Sequence, residues 1–156
     1  MQEMMRERLE RLFSECDKHV LRMNSAKAKL AAVLPLTSVG YSALTEDEIE
    51  HIDQFLFRFA KLQDAIGQRL FKSILLFLQE DVEGVPFVDI LSKLEKLHLI
   101  ESSAQWQMLR EVRNEIAHQY DDAPELAAQA LNAIFDSKTL LESVYLGLKE
   151  AYFSRK

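Results

Sequence analysis

Apolar residues recur at steps of three and four along most of this chain, and few helix-breaking residues interrupt them. One such stripe runs over 2–34, another over 45–79, and a third follows Pro124 to the end. A repeat near 3.6 residues is that of one face of an α-helix, whereas a half-buried strand alternates at every second residue. With four glycines and three prolines in 156 residues, the composition also suits long helices. The pattern predicts an all-α protein.

Turn and capping residues divide the first half of the pattern. The first helix is predicted over 2–34, and Pro35 ends it because proline cannot continue a helix. After a connector, Thr45 and Glu48 stand at the spacing of a capping box, in which the two side chains satisfy two free amide groups at a helix start. A second helix is therefore predicted from Thr45 to about residue 79.

Similar signals divide the second half. Pro86 suits the first turn of a short third helix, and Ser102 or Ser103 can cap a fourth helix over 104–120. Asp122 is predicted to cap the last helix. The predicted fold is an antiparallel four- to five-helix bundle that occupies residues 1–156 as one domain.

The second helix carries apolar residues on more than one side. Its main stripe consists of Ile49, Ile52, Leu56, Phe59 and Ile66. Phe55, Phe57 and Leu62 fall outside that stripe. Because wide apolar strips are seldom left in water, such a helix needs two partners. We expect one to be the domain core and the other a second copy of the chain.

Charge and cysteine content exclude several classes of protein. A formal net charge of −6 argues against a general nucleic-acid coat, so DNA binding is not expected and any RNA contact must be local. Cys16 is the single cysteine, which excludes an internal disulfide and the usual zinc-finger spacing. No stretch approaches 18 consecutive apolar residues. We predict a cytoplasmic protein without a membrane span, a metal or a cofactor.

The stretch 110–120 concentrates reactive side chains near the end of the predicted fourth helix. Asn114 and His118 are one helical turn apart, while Arg113 and Tyr120, seven residues apart, share a neighbouring stripe. All four can therefore line one cleft. The negative end of the helix dipole, with the aspartates that follow, favours a protonated imidazole at His118.

This stretch resembles a known motif. Arg113-Asn114-x-x-x-His118-x-Tyr120 is similar to the Arg-x4-His-x-Tyr signature of the HEPN superfamily, in particular of the HepT-like toxins that are paired with minimal nucleotidyltransferase antitoxins. The resemblance is confined to these residues and to the all-helical layout around them. It implies a HEPN-like bundle and a metal-independent endoribonuclease that works as a homodimer.

The same residues suit that chemistry. Cleavage of RNA without a metal uses the neighbouring 2′-hydroxyl as the nucleophile, so protons must be moved and a charged phosphorane stabilised. His118 is suited to the proton steps, Arg113 to the phosphate oxygens, and Asn114 to a hydrogen bond or to orienting the histidine. The reaction needs a general base and a general acid, and the motif has one histidine per chain. A two-fold dimer would supply two.

The resemblance also implies a form of control. In HepT-like toxins the tyrosine of this motif receives AMP from the partner nucleotidyltransferase, and that position is Tyr120 here. AMP at Tyr120 would place bulk and negative charge against Arg113 and block phosphate binding.

Two alternatives remain open for the motif. The chain can be a non-catalytic helical subunit that binds nucleotide or substrate for a nucleotidyltransferase, with Arg113 holding phosphate and His118 only structural. It can also be a pure interaction module. Taken without the family, an arginine and a histidine on a helix are usually solvated surface residues.

Other polar and aromatic residues have simpler interpretations. His19, His51 and His98 are isolated along the predicted helices and are expected to be ordinary surface or satisfied histidines. Trp106 and Met108 are expected to form core or dimer contacts rather than a base-stacking platform, although Trp106 could do both. Asp64 and Arg69 can face the cleft, but such residues are usually an exposed helix charge pattern.

Overall fold

The computed structural model describes residues 2–116 and 122–155. Within these residues the chain is an all-α bundle without β-strands, as the apolar periodicity predicts. Its segments are α1 (Gln2–Ala28), α2 (Ser38–Ser42), α3 (Glu46–Ala65), a π-helical turn (Ile66–Leu70), α4 (Phe71–Phe77), α5 (Phe87–Lys96), α6 (Ser103–Glu115) and α7 (Pro124–Arg155). Because α3, the π-helical turn and α4 follow one another without a break, they form one long helix, which we call the central rod.

The central rod begins at the predicted capping box. The Thr45 side chain accepts a hydrogen bond from the Glu48 amide at 3.2 Å, and the Glu48 carboxylate accepts one from the Thr45 amide at 2.9 Å. Two amide groups that the helix cannot satisfy are thereby paired. Further along, the π-helical turn widens the rod at Ile66–Leu70, a type of irregularity that is frequent at functional sites.

Helix α1 runs antiparallel to the central rod. Arg6, near the start of α1, lies 5.9 Å from the ring centroid of Phe77 at the end of the rod. His19, further along α1, is 3.0 Å from the Arg58 guanidinium in α3. Contacts therefore pair the start of one helix with the end of the other, as predicted for an antiparallel bundle.

Helix α7 runs antiparallel to α1 as well. The Tyr152 hydroxyl donates to the Glu10 carboxylate at 2.7 Å, and at the other end of the pair the Asn24 amide donates to Glu142 at 3.3 Å. The three long helices thus form the frame on which α5 and α6 pack.

None of the helices within the described residues is both long enough and apolar enough to cross a membrane.

Helix α6 crosses the rod at the π-helical turn. Trp106, in its first turns, contacts Phe71 edge-on with ring centroids 4.7 Å apart, and Arg113 near its end pairs with Asp64. The Ser102 side chain caps this helix by accepting from the amides of Ala104 and Gln105, which selects one of the two serines predicted. The motif-bearing helix is therefore held against the rod along its length.

One connected apolar core joins α1, the rod, α5, α6 and α7. Its largest buried side chains are Trp106, Tyr145, Tyr152, Phe13, Phe55, Phe59 and Phe71. Cys16 is fully buried in this core, and burial raises the pKa of its thiol to about 12. The single cysteine is therefore a packing residue and not a nucleophile.

The predicted end of the first helix is wrong, and the connector after it is not entirely without helix. Helix α1 ends at Ala28 and not near Leu34, because hydrogen bonds between residues three apart, such as Val33 to Leu30 at 3.0 Å, tighten the chain beyond it. The connector then contains the short helix α2, so the described bundle has one more helix than predicted. The Asn132 amide of α7 holds this connector by bonding both the N–H and the C=O of Leu36 at 2.8 Å.

The predicted cap of the last helix is also wrong. Helix α7 begins at Pro124, and the Ala127 amide donates to the Ala123 carbonyl at 3.0 Å. Ala123 therefore precedes the helix and Asp122 lies one residue too early to cap it. Proline in the first helical position lacks an amide that would be unpaired there anyway.

The second helix was predicted to leave one apolar side for another copy of the chain, and most of that surplus is absent. Phe55, Phe59 and Leu62 are fully buried within the chain, since the rod contacts α1 on one side and α6 on another. Phe57 is 51% exposed, with the cations of Arg58 and Lys61 over its ring. The dimer prediction therefore loses this support and depends on chemistry alone.

Candidate functional site

The predicted motif begins in the last turn of α6. Arg113 is half-buried and Asn114 is exposed, and both line a cleft between α6 and the central rod. His118 and Tyr120 lie outside the described residues. The structure thus brings two of the four predicted residues together.

The cleft has a volume of about 500 Å³. It is lined by Gln63, Asp64, Gly67, Gln68, Lys72, Phe87, Trp106, Arg110, Arg113 and Asn114. Its size falls within the range of small-molecule sites, roughly 300–1,000 Å³. The π-helical turn forms part of one wall, because Gly67 and Gln68 belong to it.

Arg113 makes a two-point contact with a carboxylate across the cleft. Its Nε donates to Asp64 Oδ1 at 3.3 Å and its Nη2 donates to Asp64 Oδ2 at 3.2 Å. This fork geometry is the one by which a guanidinium also holds two phosphate oxygens. Asp64 therefore faces the cleft, and it keeps Arg113 in an orientation that suits an anion.

Cations outnumber acids on the cleft wall. Lys72, Arg110 and Arg113 line it, and Asp64 is the single acidic residue among the described lining residues. Counting these four side chains gives three positive charges and one negative charge, in a chain whose formal net charge is −6. A local positive field in an acidic protein favours an anionic ligand at this position.

The basic residues of the rod, namely Arg58, Lys61, Arg69 and Lys72, do not form one extended patch. Arg58 contacts His19, and Arg69 forms an ion pair with Glu15, so both lie against α1. Lys72 alone among these residues lines the cleft. Arg69, which had been a candidate for the cleft, is therefore not part of it.

Aromatic residues form the floor and one edge of the cleft. Trp106 is 2% exposed and packs on Phe71, which confirms its predicted place in the core, while it also lines the cleft. The Arg110 guanidinium lies 5.1 Å from the ring centroid of Phe87. Met108 is half exposed, so the core contact predicted for it is wrong, while the dimer contact predicted as the other possibility stays a prediction.

The inner wall holds polar atoms without partners. Within the described chain, neither amide atom of Gln63 nor the indole nitrogen of Trp106 has a hydrogen-bond partner. A Cβ built on Gly67 would lie 3.0 Å from Trp106 Cζ2, so any larger residue at this position would press against the indole ring. Sequence reasoning missed Gln63 and Gly67, although a glycine inside a helical pattern is a recognised sign of close packing.

The three remaining histidines lie outside the cleft, as predicted. His19 contacts Arg58 and Glu15, and burial together with the Arg58 charge lowers its pKa. His98 adopts a left-handed backbone conformation, with φ of 58°, at the end of α5. No group of three His, Cys, Asp or Glu side chains suited to a metal ion occurs in the described part of the chain.

No protein-family model, curated protein or solved structure matches the chain.

Proposed function

We propose that the chain is a metal-independent endoribonuclease of the HEPN type, acting in the cytoplasm as a toxin. The observation that carries this proposal is the positive cleft in an otherwise acidic chain, with Arg113 and Asn114 of the motif on its wall. Affinity for RNA begins with phosphate neutralisation, and here that charge is concentrated at the motif. His118 follows Asn114 by one helical turn in the sequence.

The reaction proceeds through the RNA's own 2′-hydroxyl. His118 accepts the proton of that hydroxyl, whose oxygen attacks the adjacent phosphorus, and a second imidazolium protonates the leaving 5′-oxygen. The products are a 2′,3′-cyclic phosphate and a free 5′-hydroxyl. Arg113 exchanges the Asp64 carboxylate for phosphate oxygens and stabilises the pentacoordinate state, with Asn114 donating a further hydrogen bond.

A homodimer would supply the second imidazolium. Each chain contributes one His118, and acid and base must act on opposite sides of the same phosphorus. In a two-fold dimer the same surface of each copy meets its equivalent, so two motifs can share one scissile phosphodiester. Sedimentation velocity would test this requirement; an active monomer would rule it out.

Control by a minimal nucleotidyltransferase antitoxin is part of the same proposal. The Tyr120 oxygen would attack the α-phosphorus of ATP, lose its proton and release pyrophosphate, leaving AMP on the ring. The added negative charge would compete with RNA for Arg113. Mass spectrometry after co-expression with such an enzyme would detect AMP on Tyr120; full neutralisation of the toxin with unmodified Tyr120 would contradict this mechanism.

The decisive experiment compares two arginines that each form an ion pair. Expression of the wild-type chain in bacteria should arrest growth, and Arg113→Ala or His118→Ala should abolish the arrest. Loss of one transition-state donor costs roughly 100- to 1,000-fold in cleavage rate. Arg69→Ala is the matched control, because it removes a guanidinium paired to a carboxylate outside the cleft.

The reaction type is read from the purified protein. RNA cleaved in the presence of a chelator should carry cyclic-phosphate ends. Harmless expression and no cleavage by a well-folded dimer would contradict the nuclease proposal. Equal loss of activity in Arg69→Ala and Arg113→Ala would also contradict it, since the cleft would then have no special role.

One observation favours the alternative of a non-catalytic nucleotide-binding subunit. Arg113 is already engaged at two points by Asp64, and the deepest polar groups of the cleft belong to Gln63 and Trp106, which carry no proton-transfer chemistry. Nucleotide binding without any RNA cleavage would support that alternative.

A further inference from the structure

Among the described residues, and leaving aside tyrosine and tryptophan, Gln63 is the only polar residue that is buried. It is 2% exposed, and both its amide oxygen and its amide nitrogen lack a hydrogen-bond partner within the described chain. An unpaired buried amide lowers the stability of the fold, and an apolar side chain of similar size would avoid that cost. A residue kept in spite of this penalty, on the wall of a cleft, indicates a ligand that pairs with it.

Trp106 provides a second unpaired group at the same wall. Its indole nitrogen has no partner within the described chain, and it lies 3.9 Å from the Cβ position of Gly67. Gly67 follows Gln63 by four residues on the rod, so the two share a helix face that lines the cleft. The unpaired amide and the unpaired indole N–H are thus on the walls of one cavity.

The chemistry of these groups selects a class of ligand. A carboxamide presents a donor and an acceptor side by side, which is how asparagine and glutamine pair with the edge of adenine. A simple anion would use the cations of the rim and leave the Gln63 acceptor unpaired. The Arg110 guanidinium, stacked on Phe87, offers a flat cationic surface of the kind on which bases stack.

We propose that the inner wall of the cleft is a nucleobase subsite, in which Gln63 and Trp106 bind the polar edge of one base while Arg113, Arg110 and Lys72 bind its phosphate. The subsite deepens the proposed nuclease function, since it would decide which nucleotide lies at the motif. Both amide atoms of Gln63 are shielded from solvent, so binding of a base requires the Gln63 side chain to turn toward the cleft. The same chemistry serves a nucleotide within RNA and a free nucleotide.

Trp106 gives a site-specific measurement, because it is the one tryptophan of the chain. Each of the four nucleoside 5′-monophosphates, and inorganic phosphate, is titrated against the wild-type protein while tryptophan fluorescence is followed. We expect a saturable change for the nucleotides, with about a tenfold spread in affinity between the best and worst base, and weaker binding of phosphate. Equal binding of all four bases and of phosphate would overturn the proposal.

Gln63→Leu tests the amide directly. The variant should bind the preferred nucleotide about tenfold more weakly and lose most of the preference among bases, while its melting temperature stays equal or rises. Gln54→Leu is the matched control, because Gln54 is a half-buried glutamine of the same helix outside the cleft. Unchanged affinity and preference in Gln63→Leu would overturn the proposal. If Gln63→Leu does not fold, Gln63→Met and the wild-type titration decide the matter.

Uncleavable 2′-O-methyl tetranucleotides distinguish the two sources of the ligand. Tighter binding of a tetranucleotide than of its monophosphate identifies an RNA residue as the ligand, whereas tighter binding of the monophosphate identifies a free nucleotide. Base-selective binding that depends on Gln63 in a chain without nuclease activity would support the subsite and refute the nuclease. RNA cleavage whose base preference is the same in Gln63→Leu would refute the subsite and support the nuclease.

Discussion

The two sides of the central rod carry the same kind of ion pair in different surroundings. On the α1 side, Arg69 donates two hydrogen bonds to the Glu15 carboxylate. On the α6 side, Arg113 donates two hydrogen bonds to Asp64. All four side chains remain partly exposed, so neither pair alone contributes much to stability.

The difference lies in what surrounds each pair. Glu15 and Arg69 lie where two long helices pack, and the hydrogen bond from Arg69 lowers the pKa of the Glu15 carboxyl. Arg113 and Asp64 border an open cleft with two further cations and an unpaired buried amide. An arginine paired with a carboxylate is therefore not evidence of a binding site by itself. It indicates one here because further cations and an unpaired buried amide line the same cleft.

The close contact of the cleft wall can be broken with a single methyl group. Gly67→Ala places a Cβ 3.0 Å from the Trp106 ring, and the buried, closely packed indole has little room to move. We expect the free energy of unfolding to fall by about 1–2 kcal/mol, because overpacking outweighs the gain in helix propensity. Urea denaturation measures the change.

Gly147→Ala in α7 is the control, since nothing lies within 4 Å of its Cβ position. That variant should be more stable than wild type by about 0.5–1 kcal/mol. Equal stabilisation by both substitutions would show that the cleft wall has spare room and that glycine is not required there.

Exchanging the two carboxylates for amides sharpens the comparison. Asp64→Asn removes the single negative charge among the described lining residues, and nucleoside monophosphates should bind about three- to tenfold more tightly at low salt. Glu15→Gln removes the equivalent charge on the α1 side and should leave that affinity unchanged. Isothermal titration in low and high salt makes the measurement. Weaker binding by Asp64→Asn would mean that Asp64 serves mainly to orient Arg113.

Much of the bundle could be predicted from the sequence, because long periodic stripes and local caps are short-range signals. The Thr45 capping box and the Ser102 cap follow from residues within one helical turn. Helix α2 was not predicted, although Thr37 caps it by accepting from the Gly40 amide at 2.9 Å, because it has only five residues and Asn132, far along the chain, holds its connector in place. Tertiary contacts of this kind carry no local signature.

For the candidate site too, residues that are close in sequence could be predicted and residues brought together by packing could not. Arg113 and Asn114 could be predicted because they belong to one contiguous motif. Gln63 and Phe87 could not, since they come from other helices and only packing brings them to the cleft. Asp64 was predicted either to face the cleft or to be an ordinary exposed charge. The second interpretation is wrong, because α6 crosses the rod and places Arg113 opposite Asp64.

The smallest expected effect concerns the α1 side and pH. Burial and the Arg58 charge lower the pKa of His19 below its usual value of 6.5, with Lys61 and Arg69 acting in the same direction and Glu15 opposing them. Between the two pKa values the unfolded chain binds a proton that the folded chain does not. Protonation of His19 in the unfolded chain therefore lowers the free energy of unfolding as the pH falls from about 6.5 toward the folded pKa. Above about pH 6.5 the full stability is present.

Urea denaturation at about pH 7.5 and about pH 5.5 should thus show a less stable protein at the lower pH, within the range where histidine titrates. His19→Gln should reduce that difference, while His51→Gln, on the rod, should keep it. A wild-type protein that is equally stable at both pH values, or a His19→Gln variant with the full difference, would contradict this origin. Nucleotide affinity should not change in His19→Gln, because the α1 side of the rod governs stability and the α6 side governs binding.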